Sequence, residues 1–85
     1  DWEVQVERFH AGLEAVDARL ASSEPLGRPP ERLLQGPFAD ALTHVGQLAM
    51  LRRLAGSPVK GENYFKAEVT VGVVGPDQPL PVYEF

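Results

Sequence analysis

Asp40 and His44 stand four residues apart in the run Asp40-Ala41-Leu42-Thr43-His44-Val45-Gly46-Gln47-Leu48. Residues at this interval lie one above the other on a helix face, so a carboxylate and an imidazole can address one ion from a single rigid element. The chain has no cysteine, so a metal would be held through nitrogen and oxygen, a donor set that suits Zn, Ni, Mn or Fe. An open coordination position would let bound water become a nucleophile at neutral pH. Gln47, three residues after His44, can hydrogen-bond the second ring nitrogen or a metal-bound water. The same residues admit a second reading: Asp40 sits near a helix N-terminus, favoured by the macrodipole, and accepts a hydrogen bond from His44. Two ligands do not complete a catalytic centre, and further donors must come from elsewhere. His10 belongs toward a polar side with Glu14 and reads as a surface histidine. Arg52 and Arg53 fall in a last helical turn, where they suit the negative end of the dipole.

Two helices must position these groups. Over residues 2–20, Trp2, Val6, Phe9, Leu13, Val16 and Leu20 recur at alternating spacings of four and three, which predicts an amphipathic helix over about 1–22. Glu3, Gln5, Glu7, Arg8, Glu14, Asp17 and Arg19 form its polar side. A Pro/Gly-rich loop over 23–37 turns the chain, and residues 29–34 can close one isolated helical turn with proline in its first turn. Gly36-Pro37 opens a second helix that runs over about 37–55, with Gly56 as its cap and Pro58 preventing continuation. Phe38, Leu42, Val45 and Ala49 form one apolar stripe on it, and Ala41, Leu48, Leu51 and Ala55 another. An apolar arc that wide predicts burial by several neighbours, with His44 inward. Trp2, Phe9 and Phe38 read as core. The β-branched residues of 64–74 and the prolines that follow predict an extended C-terminal arm over 56–85.

Composition bounds the rest. A length of 85 residues allows one domain with a marginal core, and the first residues, Asp1 and Trp2, read as the middle of a structure, so the expectation is a single partial domain, 1–85. Eight Lys+Arg against twelve Asp+Glu give a net charge of −4, which argues against nucleic acid as a partner. The longest uncharged apolar-rich run is far shorter than the ~20 residues of a bilayer span, so no membrane segment is expected. The absence of cysteine fits a reducing compartment, the cytoplasm.

The stretch DALTHVGQLAMLRR at 40–53 resembles the last bundle helix of the DinB-like superfamily, metal-binding four-helix bundles related to mycothiol-dependent maleylpyruvate isomerases and bacillithiol transferases. That helix typically carries two histidines four apart, the second followed by one residue and then Gly-Gln. His44-Val45-Gly46-Gln47 matches the second histidine with its Gly-Gln, and Asp40 stands in place of the first. Residues 2–20 are similar to the penultimate bundle helix. The resemblance implies an all-α fold, two antiparallel helices forming the C-terminal half of an up-and-down four-helix bundle. It implies a divalent metal on Asp40 and His44, Gln47 behind them, and a third ligand from an earlier helix. It further implies a transferase or hydrolase that uses a thiol cofactor or activated water. The partner is then the remaining half of the bundle or a second copy in a homodimer. The alternative is a non-catalytic association module with a structural Asp40-His44 pair.

Overall fold

The computed structural model describes residues 1–85. The secondary structure is helical, without strands, and comprises α1 (Trp2–Ala21), α2 (Pro30–Leu33), a π-helical turn (Leu34–Phe38) and α3 (Ala39–Leu54). Contacts divide the chain into two units, residues 1–25 with 62–84, and residues 26–61 with Phe85.

In the first unit α1 forms as its stripe dictates and is closed at both ends by its own residues. Asp1 Oδ1 accepts from the Glu3 amide at 2.9 Å, satisfying one of the donors that a helix start leaves free. At the other end the Ser22 hydroxyl donates to the Arg19 carbonyl at 2.8 Å, and the Arg19 guanidinium donates onward to the carbonyls of Glu24 and Pro25. The exit loop is thus tied to the last helical turn.

The arm of this unit is not extended. Gly72 and Gly75 adopt φ values of +86° and +108°, in the region that favours glycine, and they break the β-branched run into turns. The Val73 amide donates to the Thr70 carbonyl at 3.2 Å, Val71 is 98% exposed, and Gln78 Nε2 donates to the carbonyls of Val73 and Gly75. Propensity for strand has no neighbour to pair with here, and the turn chemistry wins. The arm returns on itself instead: Glu62 and Glu84 form a single antiparallel bridge, the Asn63 amide donates to the Tyr83 carbonyl at 2.9 Å, and Lys66 Nζ lies 4.8 Å from the centre of the Tyr83 ring.

In the second unit Gly36-Pro37 does not open a helix. The helical path starts at Pro30 and continues through Pro37 to Leu54, which corrects both the expected loop to residue 37 and the isolated turn at 29–34. Proline lacks an amide hydrogen, and its ring would collide with the carbonyl four residues back. Widening the turn relieves the collision, and the Ala39 amide reaches back five residues to the Leu34 carbonyl. The far end follows the sequence closely. Gly56, at φ +78°, donates to the Arg53 carbonyl at 3.1 Å and Ser57 to the Arg52 carbonyl at 2.9 Å, the paired bonds of a Schellman motif. Arg52 seals it by donating from Nε to the Ser57 carbonyl and from Nη2 to the Ser57 hydroxyl, both at 2.9 Å.

No residue of the chain is buried. Trp2 is 79% and Phe9 60% exposed, Phe38 is half-buried, and both stripes of α3 face solvent. The expected core positions lie on regular helix faces, and none of them is fully covered: Val6, Phe38 and Ala49 are half-buried and the others are exposed.

Candidate functional site

Asp40, His44 and Gln47 come together on one face of α3. His44 Nε2 lies 3.3 Å from Asp40 Oδ2, and His44 Nδ1 lies 2.8 Å from Gln47 Oε1. Both ring nitrogens are therefore engaged, each by the residue whose helical interval places it within reach. The tautomer decides which partner takes the ring proton: Nε2–H donates to the Asp40 carboxylate, or Nδ1–H donates to the Gln47 oxygen and the Nε2 lone pair turns toward the carboxylate, as it would toward a bound cation.

The spacing suits the second state as well as the first. Ligand bonds of ~2.0–2.2 Å at a tetrahedral angle set a nitrogen and an oxygen about 3.3 Å apart. Gln47 supplies what a metal-binding histidine usually has, an acceptor on the other nitrogen that fixes ring orientation and tautomer. The residues present thus fit two corners of a coordination sphere. No three His, Asp or Glu side chains gather closely enough to form a ligand set within the chain.

Two expectations about this site change. The side chains of His44 and Asp40 are 63% and 72% exposed, so His44 does not face inward: the flanking Ala41 and Leu48 mark an apolar face that is itself uncovered. Nor does Asp40 sit at a helix N-terminus, because the π turn carries the helix upstream to Pro30. A dipole explanation for Asp40 loses its basis, since that effect fades within the first turn. Arg52 engages the helix end and Ser57 rather than an acidic partner.

His10 is the residue that the sequence placed least well. It is half-buried, packs edge-on against Phe9 at 5.5 Å between ring centres, and its Nδ1 is enclosed without a hydrogen-bond partner. Val6, Glu7, His10, Ala11, Glu14 and Pro76 line one shallow cleft. Pro76 reaches α1 through the folded arm, a tertiary event with no local signal in the sequence.

No helix is long and apolar enough to cross a membrane. No known protein family matches the chain, and no match is found among curated proteins or solved structures.

Proposed function

We propose that this chain is part of a DinB-like, divalent-metal-dependent protein, a transferase or hydrolase that uses a thiol cofactor or activated water. In this reading α1 and α3 are two helices of an up-and-down four-helix bundle, completed by the remaining half of that bundle or by a second copy. The observation that carries the proposal is the pairing of His44 Nε2 with Asp40 Oδ2 at 3.3 Å while Nδ1 is held by Gln47. Asp40 and His44 bind the ion, and Gln47 orients the imidazole by accepting its Nδ1 proton. A divalent ion held here with an open position supplies Lewis acidity and a water deprotonated near neutral pH.

A second reading, association without catalysis, draws on a different observation, the exposure of the large apolar residues along α3. One experiment separates the two. An exposed pair at this helical interval is worth only ~0.3–0.5 kcal/mol, so His44→Ala leaves helicity nearly unchanged under either reading. Metal content discriminates. Protein purified without an affinity tag and analysed for Zn, Ni, Mn and Fe carries metal that His44→Ala lacks if the site binds; equal, negligible content in both chains leaves the association reading in place.

A further inference from the structure

We draw no further inference here: the strongest candidate, the open apolar face of α3 that carries Leu48 and Leu51 beside Asp40 and His44, carries nothing because nothing in the structure shows what covers it.

Discussion

Helices α1 and α3 both leave apolar stripes open to solvent, one on α1 and two on α3, yet they are built by different means. In α1 the local chemistry is self-contained: Asp1 caps the start, Ser22 and Arg19 close the end, and the polar side carries charges with no further engagement. α3 has no side-chain cap at its start, enters through a π turn, and ends in a Schellman motif braced by Arg52. Its surface holds a polar trio whose members bind one another. Charges along α1 serve solvation, whereas Asp40, His44 and Gln47 are arranged as a linked set. That contrast is why the proposed site is placed on α3.

Substitutions can break or sharpen the contrast. The largest effect is expected from His44→Ala, which removes metal uptake, while Glu14→Ala on α1 leaves it unchanged; elemental analysis of both variants checks this. Next comes Gln47→Ala, which frees the imidazole to rotate and weakens Zn2+ affinity by ~10–100-fold, read by calorimetric titration. Gly56→Ala follows. It forces a side chain into the left-handed region at φ +78° and costs α3 about 1–2 kcal/mol, measured as lost helicity on heating. The smallest effect belongs to Asp1→Ala, which removes the cap of α1 at about 0.5 kcal/mol and leaves Zn2+ affinity unaltered.

How much of this was legible in the residues depends on the range of the interactions involved. The bounds of α1 and the end of α3 were readable, because a stripe, a cap and a glycine in the left-handed region act within one turn. The trio was also readable, since intervals of three and four fix which side chains meet. The start of the second helical segment was not. Gly36-Pro37 carries the signature of a boundary, and the alternative, a turn wide enough to absorb the proline, depends on what Leu34 and Ala39 do together. The arm misled for a related reason: Val69, Val71 and Val73 favour strand only when another strand is beside them. His10 was unreadable because Pro76, sixty-six residues on, encloses it. Burial was misjudged throughout, since a stripe marks a surface that wants covering and cannot say whether the cover belongs to the same chain.

The π turn also separates what can vary from what must hold still. One more residue fits into its loop of backbone than an α-helix accommodates, so the helix before it and the helix after it keep different angular phase. Leu33, ahead of the turn, projects according to one phase, Asp40 and His44 according to the other. Insertions, deletions or substitutions upstream of Phe38 can therefore re-aim Leu33 while the angle between carboxylate and imidazole is preserved. The turn acts as a clutch in the helix, letting the surroundings of the trio be retuned without retuning the trio.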